Sequence, residues 1–138
     1  SGAANIIPTS SGAADGINRV IPGLENKLVS TGYRVPVING SLLDLIVETE
    51  KQVSVDEVNS LIKNKALELD SNKLLSWTDD PIVSSDIIGN QFSCVVDINA
   101  TEVLDGNLIR LNIWQDNETG YAYQTVRLLK YISEIAFN

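Results

Sequence analysis

Two stretches of strict alternation constrain the fold more than any other feature of this chain. From Ser41 to Thr49, Leu43, Leu45 and Val47 alternate with Asp44 and Glu48. From Asn107 to Trp114, Ile109, Leu111 and Ile113 alternate with Arg110 and Asn112. Successive side chains of a strand point to opposite faces, so each stretch predicts a strand with one core face and one wet face. Sheets that are wet on one side are antiparallel ones. The dipeptides Gly89-Asn90 and Asp105-Gly106 fall between further apolar runs and suit the positive backbone angles of tight hairpin turns. Neighbouring strands are therefore expected to be antiparallel.

The other segments fill in around these strands. A short helix is expected from near Ser11 to Pro22, with Ile17, Val20 and Ile21 at helical spacing and Ser10 or Ser11 capping it through a hydroxyl. A strand is expected from Leu28 to Val35. The helix expected over Val55 to Glu68 carries the clearest signature: Ser54 and Glu57 have capping-box spacing, Asp56 lies at the positive end of the dipole, and Val58, Leu61, Ile62 and Leu69 form an apolar stripe. Short runs follow at Leu74 to Trp77, Ile82 to Ile88, Phe92 to Ile98 and Thr101 to Leu104. A last helix is expected from Glu118 to Phe137, with Tyr121, Leu128, Ile132 and Ile135 as its repeating positions and either Asn117 or Asp116 as its cap. This is an α+β fold, a mostly antiparallel sheet with helices packed on one face. At 138 residues, without an internal linker or repeat, it reads as a single domain, 1–138.

Composition excludes several kinds of chemistry. Histidine is absent, which removes imidazole general-base catalysis, His-containing metal sites and the Ser/His and Cys/His pairs from this chain acting alone. Cys94 has no partner for an internal disulfide, which suits a reducing compartment. Eighteen acidic against ten basic side chains give a net charge of -8, a field that repels nucleic acid and anionic lipid. No apolar run approaches the ~20 residues of a membrane span, and Ser1 to Asn5 resembles neither a signal n-region nor a transit peptide. The expected location is cytoplasmic, with no nucleic-acid and no membrane partner.

Four strings give a more specific lead. Asn5-Ile6-Ile7-Pro8-Thr9-Ser10-Ser11-Gly12-Ala13-Ala14, Arg34-Val35-Pro36, Val83-Ser84-Ser85-Asp86 and Trp114-Gln115-Asp116-Asn117-Glu118-Thr119-Gly120-Tyr121 resemble, in order and spacing, the C-terminal part of glyceraldehyde-3-phosphate dehydrogenase. The resemblance covers essentially the whole chain. It implies a partial catalytic domain that lacks the N-terminal Rossmann domain, the nucleophilic cysteine segment and the histidine base. Cys94, within a strand pattern, is read as a structural thiol, so no catalytic residue and no metal ligand is assigned here.

The resemblance also assigns binding residues. From the sequence alone Ser11 is a helix cap, yet a helix N-terminus next to a glycine is also an anion cradle. The family's matching Thr and Gly hold the phosphate that attacks the thioester, so Ser11 and Gly12 are phosphate-binding candidates. Asp15 stands where the family commonly has Lys and would weaken the anion site. Arg34, otherwise a surface cation, matches the arginine between the two phosphate sites, where a planar fork donates bidentate bonds. Asn117 matches the asparagine that bonds the nicotinamide carboxamide, and Tyr121 packs beside it. Gln115 replaces a common family tyrosine. Trp77 and Trp114 read as core or interface residues, and Asp79-Asp80-Pro81 as a solvated turn.

The implied whole-enzyme reaction is oxidation of a triose phosphate: cysteine attack, hydride transfer to NAD or NADP, and cleavage of the thioester by phosphate. NAD is not expected to bind tightly to this chain alone, and a homo-oligomer is expected. The alternatives are a non-catalytic assembly or protein-binding domain derived from the family, and a fragment of an erythrose-4-phosphate dehydrogenase.

Overall fold

A computed structural model describes residues 4–136, and within it the chain divides between Ile38 and Asn39 into two compact units. In the first, β1 (Ile7–Ser10) pairs antiparallel with β2 (Thr31–Arg34), and α1 (Ala13–Val20) lies between them in the chain. Ile7 to Ser10 was not foreseen as a strand, and the strand expected from Leu28 to Val35 shrinks to Thr31–Arg34. The ladder has only four rungs, Ile7 opposite Arg34 through Ser10 opposite Thr31, so β2 ends where its partner does. Ser30, just outside the ladder, turns to α1. Its hydroxyl accepts the Ala14 N–H at 3.2 Å and donates to the Ser11 carbonyl at 3.1 Å, while Ser11 Oγ accepts the Ala13 N–H at 3.3 Å. Two hydroxyls thus satisfy donors that the first helical turn leaves free. The helical repeat of Ile17, Val20 and Ile21 stays exposed.

In the second unit the order is β3 (Ser41–Glu48), α2 (Val55–Leu69), a 3₁₀ turn (Asp70–Asn72), β4 (Leu75–Thr78), β5 (Cys94–Leu104), β6 (Leu108–Gln115) and α3 (Thr119–Ala136). The sheet order is β3-β6-β5-β4, an α+β architecture. β3, β6 and β5 are antiparallel to their neighbours, but β4 runs parallel to β5, against the expectation for adjacent strands. The connection over 79–93 brings the chain back to the same end of the sheet, as a parallel pair requires.

That connection is also where an expected run fails to become a strand. Over Ile82 to Ile88 the Asp86 carboxylate accepts the Val83 N–H at 2.8 Å, and the Asp86, Ile88 and Asn90 N–H groups bond carbonyls three residues earlier. Local turns use the groups a ladder would need, and Ile87, 2% exposed, anchors them. Gly89-Asn90 consequently closes a turn and not a hairpin. Phe92 to Ile98 and Thr101 to Leu104 merge into β5, with a register shift between Asp97 and Glu102 where the chain pauses between the two. Asp105-Gly106 does form the β5–β6 hairpin, with φ of 50° and 77°.

α2 is built as its sequence implies. Ser54 Oγ accepts the Glu57 N–H at 3.3 Å, and Glu57 Oε2 accepts the Ser54 N–H at 2.7 Å. The helix packs on β4 and β5. Val58 and Ala66 are buried there, as are Val96, Ile98 and Ile109 of the sheet. Asn59 ties helix to strand by donating to the Ile98 carbonyl at 3.1 Å and accepting from Thr101 Oγ1 at 2.7 Å, and Lys63 lies 4.6 Å over the Trp77 ring. Leu61, placed in the buried stripe by its spacing, is 61% exposed. The line turned to the sheet is 58, 62, 66 and 69, with Val58 and Ala66 buried and Ile62 and Leu69 half-buried.

Two expected core faces are open. Leu43 of β3 is 54% exposed and Leu42, Ile46 and Val47 are exposed too, because β3 is an edge strand two positions away from the strands α2 covers. Along α3 the expected stripe Tyr121, Leu128, Ile132 and Ile135 is exposed as well, while Phe137 lies outside the described residues. α3 is secured near its start, where Gln124 Nε2 donates to the carbonyls of Asn72 and Lys73 at 3.1 and 3.0 Å and buried Gly120 meets the Phe92 carbonyl. No helix among the described residues is long and apolar enough to cross a membrane.

Gly120 yields a test in which two effects oppose. Gly to Ala within a helix ordinarily gains about 1 kcal/mol. Here a Cβ would sit 2.9 Å from the Phe92 carbonyl oxygen, a backbone atom that cannot step aside cheaply. Gly120→Ala is therefore expected to destabilise by about 1–3 kcal/mol, read as a lower urea midpoint at unchanged slope; a raised midpoint would refute the contact.

Candidate functional site

The sequence-predicted residues fall into two groups, one in each unit. In the first, Ser11 and Gly12 form the entry to α1 at the end of β1. Gly12 is the helix N-cap, and the space a side chain would occupy there is empty to 4 Å. Ser11 Oγ accepts from Ala13, which leaves its own O–H to donate. Asp15 places a carboxylate in the first turn of the same helix. Arg34 stands opposite Ile7, three rungs from the Ser10–Thr31 pair, a separation of about 10 Å at strand rise. It is exposed, makes no ion pair among the described residues, and has no hydrogen bond to Ser11 or Gly12.

In the second unit Asn117 and Tyr121 lie at the start of α3, both exposed, Tyr121 to 72%. Between Asn117 and the sheet sits Asp116, which is fully buried at 0% exposure. Its Oδ1 accepts the N–H groups of Glu118 and Thr119, each at 2.9 Å, and Nδ2 of Asn39 at 3.0 Å; its Oδ2 accepts the Gly89 N–H at 2.7 Å. Asp116 is therefore the cap of α3 and Asn117 is not. Burial alone would raise this carboxyl, but four donors aimed at the charged form outweigh desolvation and hold it well below its usual range. Asn117 instead accepts the Gly40 N–H on Oδ1 at 3.2 Å, and Gly40 N–H is also bonded by Asn39 Oδ1 at 2.8 Å.

Asn39 and Ser30 are the contributors that pattern reading missed. Neither has a motif of its own, since each acts on a segment distant in sequence. Cys94 is half-buried, its thiol donates to the Leu74 carbonyl at 3.3 Å, and burial pushes its pKa up, so at neutral pH it is a protonated, weak nucleophile. The hollow of about 340 Å³ in this unit lies elsewhere, between Ser71-Asn72 and α3, and contains none of the residues above. Among the described residues no group of three or more Cys, Asp or Glu could hold a metal ion.

Known proteins are similar to this chain in sequence. A family model described as glyceraldehyde 3-phosphate dehydrogenase, C-terminal domain, matches residues 1–117. The chain belongs to this family. The glyceraldehyde-3-phosphate dehydrogenase of Streptococcus pyogenes is 46% identical over 138 residues, which is 98% of this chain and 40% of that protein. Its counterpart in Priestia megaterium is 43% identical over 131 residues, 95% of this chain and 39% of the relative. That of Streptococcus dysgalactiae subsp. equisimilis is 45% identical over 138 residues. The chain thus spans about 40% of the length of the glyceraldehyde-3-phosphate dehydrogenases it matches. The family match ends at Asn117, whereas the pairwise similarity to the dehydrogenases covers nearly the whole chain.

The Asp116 carboxylate carries a pH dependence with a definite sign. A carboxyl held below its ordinary 3.8 in the folded protein contributes stability that is fully present above that value and is lost as pH falls toward the folded one. Asp116→Asn presents an amide N–H to backbone donors and is expected to cost about 2–3 kcal/mol at pH 7. It should also flatten the loss of stability seen in urea melts below pH 4. A variant as stable as the parent at pH 7 would contradict the burial and bonding of this group.

Proposed function

We propose that this chain is the phosphate-recognising and nicotinamide-contacting part of a glycolytic glyceraldehyde-3-phosphate dehydrogenase, comprising one partial catalytic domain over 1–138. The observation that carries the reading is the Ser11-Gly12 entry to α1, a glycine with open space around it next to a serine hydroxyl whose O–H is left to donate, in a chain of this family. Ser11 donates its hydroxyl and Gly12 lets phosphate oxygens approach the helix N-terminus. Arg34, without an ion pair among the described residues, would donate to the substrate phosphate. Phosphate and a triose phosphate are the small-molecule partners of this reading.

Asn117 and Tyr121 are the proposed contacts for NAD or NADP. The residues fit a nicotinamide: an exposed amide and an exposed aromatic ring lie four positions apart where α3 begins. When bound, the dinucleotide would accept the hydride; the chain's own share is to bond the carboxamide and flank the ring. The segment lacks a nucleophile and base pair, so it is assigned no covalent step. Exposed Leu42, Leu43 and Ile46 on β3, with the open face of α3, support homo-oligomeric assembly, and they equally favour the second reading, a family-derived assembly or protein-binding domain. A reducing, cytoplasmic location is part of the first reading.

Three results test it. The purified chain is expected to show no aldehyde- and NAD-dependent turnover, and measurable NADH production would overturn that assignment. Phosphate titrated onto labelled protein should shift the amides of Gly12 and its neighbours at millimolar concentration, and Arg34→Ala should weaken the response; an unchanged response removes Arg34 from the site. Light scattering should return a dimer or larger particle, because screening confines the repulsion of -8 charges to ~8 Å. A particle of 15.0 kDa at high micromolar concentration would count against assembly.

A further inference from the structure

We propose that Asn39, Gly40 and Asp116 are positioning residues that hold the Asn117 amide with its oxygen turned inward and Nδ2 presented outward, so that this position selects a carbonyl acceptor. The inference rests on the reading of Asn117 as a ligand contact and adds to it the device that orients the contact and the chemistry it admits.

An asparagine amide offers an acceptor at one end and two donors at the other, and a backbone N–H can only donate. The Gly40 N–H, 3.2 Å from Asn117, therefore decides which end faces inward: it must be Oδ1. The Gly40 N–H is itself fixed. Asn39 Oδ1 takes a share of it at 2.8 Å, and Asn39 Nδ2 is bonded at 3.0 Å to Asp116, a carboxylate removed from water and held by three backbone N–H groups as well. Orientation passes from the buried carboxylate through Asn39 to Gly40 and so to the exposed amide. Because Asp116 supplies the helix cap, the Asn117 oxygen is left to accept from Gly40, and that bond turns Nδ2 to the other side. A ligand group that only donates would face a donor here and lose, whereas a carboxamide or ketone oxygen is matched.

The experiment uses the labelled full chain, amide hydrogen exchange at Gly40, and nicotinamide as the probe. Asn117→Ala should speed Gly40 exchange roughly fivefold, the equivalent of one ordinary hydrogen bond. Asn117→Asp, which keeps an acceptor for Gly40 but has no Nδ2, should leave that exchange slow. Exchange indifferent to Asn117→Ala overturns the orientation. In the parent, nicotinamide should shift the Asn117 side-chain NH₂ signals. Asn117→Asp should abolish the accompanying shift at Gly40, and Asn39→Ala should weaken nicotinamide binding severalfold while Asn117 remains present. A full nicotinamide response in either variant overturns the positioning claim. If Asn39→Ala fails to fold, the two Asn117 variants, altered only at an exposed side chain, still decide it. No response to nicotinamide in the parent, with Gly40 behaving as expected, counts against nicotinamide as the ligand and leaves the orientation standing.

Discussion

The second unit depends on one carboxylate being buried in its charged form. Asp116 joins three stretches of chain that share no strand or helix: the turn at Asn39, the turn at Gly89 and the first turn of α3. A buried charge is costly unless hydrogen bonds replace water, and here four do, three on Oδ1 and one on Oδ2. The arrangement is mutually binding: three backbone donors need the acceptor and the acceptor needs them. Replacing Asp116 by an apolar residue would remove the charge but strand Gly89, Glu118 and Thr119, so the site cannot be simplified one residue at a time.

What could be read from the residues divides along the same physical line. α2 was legible because its cap is local: Ser54 and Glu57 are three positions apart and the box closes on itself. β3 and β6 were legible because period-two alternation survives whatever lies beside them, and their register, Leu45 opposite Leu111, follows that alternation. The parallel placement of β4 was not, since nothing within Leu75–Thr78 records which way its neighbour runs. Ile82 to Ile88 misled because an apolar run looks alike whether it enters a ladder or folds over a buried isoleucine; the deciding group was Asp86, which diverts the Val83 N–H.

At the candidate site the residue types were legible and their division of labour was not. Asn117 and Asp116 compete for the same cap on paper, and only the burial of Asp116 assigns it. Ser11 was foreseen as a cap, yet it shares that duty with Ser30, whose hydroxyl reaches Ala14 of α1 from sixteen positions along the chain. The apolar repeat of α3 was read as core because helical spacing says which residues share a face and not whether anything lies against it.

The order of the sheet has a kinetic consequence. β5 and β6 meet through the three-residue turn over 105–107, so their pairing closes almost no loop and can form early. β3 reaches β6 only after the intervening helix and two strands have been laid down, with Ser41 opposite Gln115 across most of the unit. The chain entropy of closing that loop is spent before any rung of the β3–β6 ladder rewards it. Until then β6 presents an open edge with Ile109, Leu111 and Ile113 on one face. During synthesis this does not arise in the same form, since β3 is made first and waits for its partner. Refolding from denaturant starts with all segments present, and the rate at which β3 docks then sets how long that edge is exposed to other copies.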